Sequence, residues 1–418
     1  MAVFIHKLIE RTDLSAFENE RGEIGRPAYP PQMMLKIWLY AYALGLTSSR
    51  RIEQRVREDL GFRFLAGNHK PDYWTLNDFR RRYPKGLNDV FTKVVEDARK
   101  LGMVQLGRVA IDSTRVEANA SADRSDEREK LREERAETRR RIRQWQQQCA
   151  REEQAVDEEQ LRQAKGWERR LEEIPKQLEQ LRKSGQKRSS RSDPQSRYLK
   201  RRGGFCLGYT CELAVSDDHV VVAQRVHQAP TDNGSLNKMT NLIKRQSKKK
   251  PKAVVADCGY YSMGEIGKVE KKKIEAYVPD KLLAKELAGG DIVEMNERQK
   301  RRTPGLAEHR EKLREPAARE NQRRRKAVVE PVFGVLKQQR GMRKFRRRGL
   351  EAVAVEWTLA TIAYNVTRMW AKTKEKTKEN DQKERLRTRG GATAPHRASR
   401  RNAALRVSSC RNPRIAPN

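Results

Sequence analysis

Residues 109–112 read Val-Ala-Ile-Asp, and residues 253–257 read Ala-Val-Val-Ala-Asp. Each is a short apolar run closed by a carboxylate. Runs of this kind, rich in small and β-branched residues, predict buried strands. In open α/β sheets, functional groups gather at the carboxyl ends of strands. A buried strand that carries an aspartate to its end pays for desolvating that charge unless a cation or a donor meets it. Asp112 and Asp257 are therefore the first candidate site residues, and α/β is the expected class.

Outward from these two strands the texture changes several times. Strand character returns at Phe205, where 207–215 and 220–226 flank a hairpin turn at 216–219. Between the strands at 109–111 and 205 lies a stretch, about 123–187, dominated by Glu, Arg, Gln and Lys. Leu171, Ile174, Leu178 and Leu181 recur there at helical spacing, which predicts an inserted antiparallel pair of long helices with a thin apolar seam. Gly166 and residues 155–157 offer places to reverse, and the Ser/Arg-rich 184–196 reads as a flexible return. Residues 234–245 and 350–370 read as helices, and 280–320 carry few strong signals.

The first hundred residues read as a helical unit. Met33, Met34, Ile37, Trp38, Tyr40 and Leu44 follow Pro30-Pro31 at helical spacing, and Gly45 stops the run. Ser48 or Ser49 caps a second helix through Arg57, and Thr75-Leu76-Asn77-Asp78 reads as a capping box for a third, with Phe79 inside and Arg80, Arg81 and Arg82 outside. A fourth is expected from Asn88 to Leu101. The expected domains are 1–104, helical and DNA-binding; 105–370, catalytic; and 371–418, a basic disordered tail.

Lys and Arg number 92 against 56 Asp and Glu, a formal net charge of +36 over 418 residues. That excess suits a polyanion partner, not an ordinary metabolic enzyme. No stretch is long and apolar enough to span a membrane. Five scattered cysteines without a CxxC suit a reducing cytosol, not disulfides or structural zinc. The six histidines show no ligand spacing.

A third acid, Glu330, stands in Arg323-x2-Lys326-x3-Glu330-x6-Lys337. Helical offsets of −7, −4 and +7 bring those cations to its face, beside a stripe of Val329, Val332, Phe333 and Leu336. Pro331 predicts a kink, or a new helix start, beside Glu330. Hard divalent cations take carboxylate, water and phosphate oxygens. A pair of them can stabilise both the attacking and the leaving oxygen of phosphoryl transfer. There is no Walker A loop, no GxGxxG after a strand and no HExxH.

The sequence resembles the insertion-sequence DDE transposases of bacteria, in the branch with a helical N-terminal domain. The resemblance rests on 25–35, 47–53 and 71–76 in the helical part. In the catalytic part it rests on Ile111-Asp112-Ser113-Thr114, Val255-Ala256-Asp257-Cys258-Gly259-Tyr260-Tyr261 and Val329-Glu330-Pro331-Val332-Phe333-Gly334. It implies a ribonuclease-H-like mixed sheet with flanking helices, and Asp112, Asp257 and Glu330 as catalytic residues holding two Mg²⁺ or Mn²⁺ ions. It implies double-stranded DNA, both transposon ends and target, as the partner of a homodimer in the bacterial cytoplasm near the nucleoid. Lys337 stands where the family has a lysine facing the phosphate backbone. Arg323 takes the place of the usual Tyr, and Lys326 that of the usual Arg. Ser113 stands where Gly is frequent, and the N-terminus and the stretch between Asp257 and Glu330 are short for the family. Arg80, Arg81, Arg343 and Arg346 join Lys337, Lys326 and Arg323 as expected DNA contacts. The alternatives are a DNA-binding repressor without catalysis and a non-specific nuclease of the same fold.

Overall fold

The structure, a computed structural model, describes residues 1–17, 29–121, 125–151, 157–201, 203–291 and 303–390. Proline opens two of the N-terminal helices, Pro31–Ala43 and Pro84–Lys100, where its missing N–H costs nothing. The first ends before Gly45, whose φ of +75° and close approach to the Gln339 carbonyl, 2.7 Å from any added Cβ, leave room for no side chain. Helices Ser49–Glu58 and Tyr73–Arg82 follow. The second is capped by Asp72, whose side chain accepts from the Thr75 N–H at 2.7 Å, so the cap lies three residues before the predicted one.

A six-stranded mixed sheet forms the centre. We number its strands with the small ribbon in chain order: β1 Arg108–Glu117, β2 Ser125–Glu127, β3 Arg188–Ser190, β4 Arg197–Arg201, β5 Gly204–Ser216, β6 Val221–His227, β7 Ala253–Val255 and β8 Glu275–Tyr277. β1 pairs antiparallel with β5 and parallel with β7, β7 pairs parallel with β8, and β4 and β6 pair with β5. This is the ribonuclease-H-like sheet that the resemblance implied. β1 runs through Asp112 to Glu117 instead of ending at it, because Ser113–Glu117 find partners along β5.

Helices Arg128–Arg151 and Glu158–Ser184 form the predicted hairpin between β1 and β5, with Leu131, Ile174 and Leu181 buried in its seam. Gly166 lies within the second helix, and 152–156 lie outside the described residues. The expected flexible return is instead ordered: β2 and β3 close the base of the hairpin, and Ser190, Asp193 and Ser196 are buried. Asp193 accepts from the Tyr209 hydroxyl, which anchors the return to the sheet.

The helix Pro316–Gly334 continues through Pro331, so no new helix starts there, and a π-helical turn, Val335–Gln339, follows. Residues 1–371 make one compact unit, in which the N-terminal helices and the sheet share one apolar core. The last helix, Leu350–Gly390, continues past the point where a disordered tail was expected; 391–418 lie outside the described residues. No helix among the described residues is long and apolar enough to cross a membrane.

Candidate active site

β1 and β7 are parallel neighbours, with Ala110 opposite Val255. Two residues further along each chain stand Asp112 and Asp257, which brings both carboxylates to the same level. Asp257 leaves the strand as the cap of a one-turn 3₁₀ helix, Cys258–Tyr260, and its Oδ1 accepts from the Gly259 N–H at 3.0 Å. Asp112 is fully engaged. Its Oδ1 accepts from the Ser113 N–H at 2.7 Å and its Oδ2 from Arg325 Nη1 at 2.8 Å. Burial pushes its carboxyl up to about 6; Arg325 opposes this, and the negative charge of Asp257 adds to it.

Arg325 reaches Asp112 from the helix Pro316–Gly334, whose buried face also carries Ala318, Val328, Val329, Val332 and Phe333. One turn earlier, Gln322 Nε2 donates to the Tyr277 carbonyl at 2.6 Å and the Ala256 carbonyl at 3.3 Å. Asn321 Oδ1 accepts from Arg108 at 2.8 Å. This polar face pins the helix across β1, β7 and β8. Glu330 is off that face and exposed, together with Arg323 and Lys326. The structure thus brings Asp112 and Asp257 together and leaves Glu330 apart. Among the described residues one trio has ligand atoms all within 4.8 Å of one another, and it is Glu212, His227 and Asp232.

Residues 105–366 match the family model described as Transposase DDE domain, and residues 1–82 match the one described as Transposase domain (DUF772). The chain belongs to the DDE transposases. No curated protein and no solved structure matches it. The family makes it an insertion-sequence transposase, a metal-dependent enzyme that binds and cleaves DNA.

The carboxylate pair fits the divalent ion that such transposases use. Two acids share one half-buried place, each repels the other's charge, and the cation that meets Asp112 there is a side chain, Arg325.

The trio of Glu212, His227 and Asp232 fits an ion less well. Glu212 is fully buried on β5, and its Oε2 lies 3.3 Å from His227 Nε2 and 3.6 Å from Arg225 Nε. The Ala229 N–H points at His227 Nδ1, 3.1 Å away, so a neutral ring carries its proton on Nε2, the nitrogen facing Glu212. An ion would have to expel that proton. Arg115 Nη1 lies 3.4 Å from Asp232 Oδ1, so two guanidinium groups already stand against the two carboxylates. Burial pushes the Glu212 carboxyl up, but His227 and Arg225 outweigh it and hold the group below its usual range. The trio is a charge-balanced network behind the site. A Cβ on Gly259 would lie 3.1 Å from Asp257 Oδ1 and 3.6 Å from Asp232 Oδ2, so the network abuts the loop that carries Asp257.

The basic residues divide in a way their sequence does not disclose. Arg80 is not a surface residue of the transposase but a core one, 2% exposed. Its guanidinium stacks 3.9 Å from the Trp38 ring centroid and bonds the Tyr42 hydroxyl at 3.1 Å and Glu356 Oε1 at 3.3 Å. Arg340 is also buried, bonding the Tyr42 carbonyl and Thr367. Arg81, paired with Asp78, remains at the surface, as do Arg323, Lys326, Arg343 and Arg346. Lys337 is half-buried in the π-helical turn near Cys211 and Cys206, and burial lowers its ammonium below the usual lysine range.

Arg325 and the network around Glu212 were missed from sequence. One signal for Arg325 was present: positions 325, 328, 329, 332 and 336 form one stripe of the helical pattern, and a cation in an otherwise apolar stripe has to meet an acid.

Proposed function

We propose that this transposase binds the terminal inverted repeats of its own element, cuts the strands there and transfers the 3′ ends into target DNA. The observation that carries the reading is the pairing of Asp112 and Asp257 at one level of adjoining parallel strands. A bound divalent ion would polarise the scissile phosphate and lower the charge that builds on its oxygens. Asp112 and Asp257 would hold it, and Glu330 would complete the set of acids, with Arg323 and Lys326 on the same exposed face to meet the strand.

The chain's own groups set up the reaction. The Ser113 and Gly259 N–H groups fix one oxygen of each aspartate, and the second oxygen of Asp112 would turn from Arg325 to the ion. Lys337, with little water around it, gives a point charge for a phosphate near the cut. Two copies on paired ends would present both ends to one target.

The test uses the full chain and a duplex carrying the element's end. Asp112→Asn and Asp257→Asn abolish Mg²⁺-dependent cleavage and strand joining while DNA affinity stays within a few-fold of the parent. Glu330→Gln does the same. Cleavage by Asp257→Asn at the parental rate would overturn the assignment.

A further inference from the structure

The helix Arg128–Arg151 carries nine basic and four acidic residues, and its partner Glu158–Ser184 carries seven and six. The imbalance is segregated around the first helix. Leu131, Arg135, Thr138, Ile142, Trp145 and Cys149 step by four and three, and all are buried or half-buried, so they face the partner helix. On one flank of that seam stand Glu134 and Glu137. Glu134 takes both nitrogens of the Arg170 fork at 2.8 Å, and Glu137 holds Arg141. Arg132, Arg139 and Arg143 stand on the opposite flank, seven and eleven residues apart and so on one line, roughly a quarter-turn from the seam. All three are exposed, and neither they nor Arg140 beside them form an ion pair among the described residues. On the partner helix Arg162, Arg170, Arg182 and Lys183 each have a glutamate.

Surface charges that serve only solubility are usually interspersed with opposite ones. Here every acid that bonds a partner lies on one flank, and the other presents a line of guanidinium groups about 16 Å long. We propose that the flank bearing Arg132, Arg139 and Arg143 is a phosphate-backbone contact surface for double-stranded DNA. The proposal rests on the reading of the chain as a DNA transposase and gives the inserted hairpin a function in it. The guanidinium fork fits phosphate oxygens, and a flank whose apolar side chains are no larger than Ala136 and Ala150 fits backbone contact in place of base reading. The base of the hairpin is pinned by the β2–β3 ribbon, where Arg188 on β3 pairs with Glu127 on β2. The line therefore lies on a braced element.

The experiment measures binding of a 40-base-pair DNA duplex of arbitrary sequence to the full chain by fluorescence anisotropy, across a series of KCl concentrations. Each phosphate contact contributes about 0.9 to the slope of log affinity against log salt. The triple variant Arg132→Gln, Arg139→Gln, Arg143→Gln is expected to flatten that slope by about 2 to 3. The control Arg162→Gln, Arg182→Gln, Lys183→Gln removes the same charge from paired positions and is expected to change it by less than about 1. Replacing the three arginines by lysine restores most of the slope. Equal flattening by the two sets, or an unchanged slope in the first, overturns the proposal. So does a loss confined to a single-stranded RNA probe. Mg²⁺-dependent cleavage is scored separately, on an end-bearing duplex with the parent chain, so failure of the catalytic assignment is distinguished from failure of this surface.

Discussion

Replacing Arg80 by Met tests the placement of this arginine inside the protein. Four contacts disappear together: the stack on Trp38, the hydrogen bonds to the Tyr42 hydroxyl and Asn77 Oδ1, and the ion pair with Glu356. The side chains of both ion-pair partners are 2% exposed, so the carboxylate left behind is a buried charge without its cation. Breaking such a pair costs about 3–5 kcal/mol. The lower half of that range applies, because Glu356 keeps the Arg346 and Arg347 N–H groups at 2.9 and 3.1 Å. At a few degrees per kcal/mol the midpoint of thermal unfolding falls by roughly 10 °C. Burial already holds the Glu356 carboxyl above its usual range, with Arg80 opposing it. Without Arg80 the folded-state pKa climbs further. A group raised in the folded state stabilises below its unfolded pKa and loses that contribution as pH rises through the folded value. The penalty is therefore smaller at pH 5 than at pH 8. Differential scanning fluorimetry at both pH values, with Arg81→Met as the surface control and Arg80→Met with Glu356→Gln as the double variant, gives the comparison. The double variant recovers more than half of the loss. An Arg80→Met midpoint within a degree or two of Arg81→Met would refute the buried placement.

Arg325→Met removes the cation that occupies Asp112 Oδ2, so at pH 8 Mn²⁺ binds about tenfold more tightly by calorimetry and raises the unfolding midpoint more than in the parent; weaker Mn²⁺ binding at that pH would contradict this. Protons compete with metal at Asp112, whose carboxyl burial pushes up to about 6. Mn²⁺ affinity should therefore be level above that pH and fall about tenfold per unit below it. The metal-free protein shows the complementary trend. The raised aspartate makes stability decline between about pH 4 and 6 and level off above, with a total change of about 3 kcal/mol.

The apolar strands and their terminal aspartates were legible because they are local: a four- or five-residue run shows both its burial and its charge. The hairpin was legible for the same reason, since its seam repeats at helical spacing. What escaped depended on partners far along the chain. Three consecutive arginines at 80–82 read as a solvated edge; Glu356, 276 residues away, turns the first of them inward. Residues 113–117 are mostly polar, so the apolar run was read as closing at Asp112, yet pairing with β5 carries the strand on to Glu117. The Ser-rich 188–190 looked mobile because its partner, 125–127, lies across a long helical pair.

Glu330 is where the motif and the geometry pull apart. Arg325 and Glu330 are five residues apart on one helix, which sets them roughly 140° apart around its axis. A helix that points Arg325 at Asp112 cannot point Glu330 there as well. Completing a three-acid site therefore requires the helix to turn, or Arg325 to leave and the acids to gather an ion that Glu330 can approach from the exposed side. The local sequence favours such an adjustment. Pro331 deprives the Ala327 carbonyl of its intrahelical donor, and the π-helical turn begins four residues later, so the segment around Glu330 has fewer regular helical bonds than the part that Gln322 and Arg325 pin to the sheet. A bound ion at Asp112 would also remove one of those pins by displacing Arg325. Metal binding and the turning of Glu330 would then be one event, with the arginine as the group that couples them.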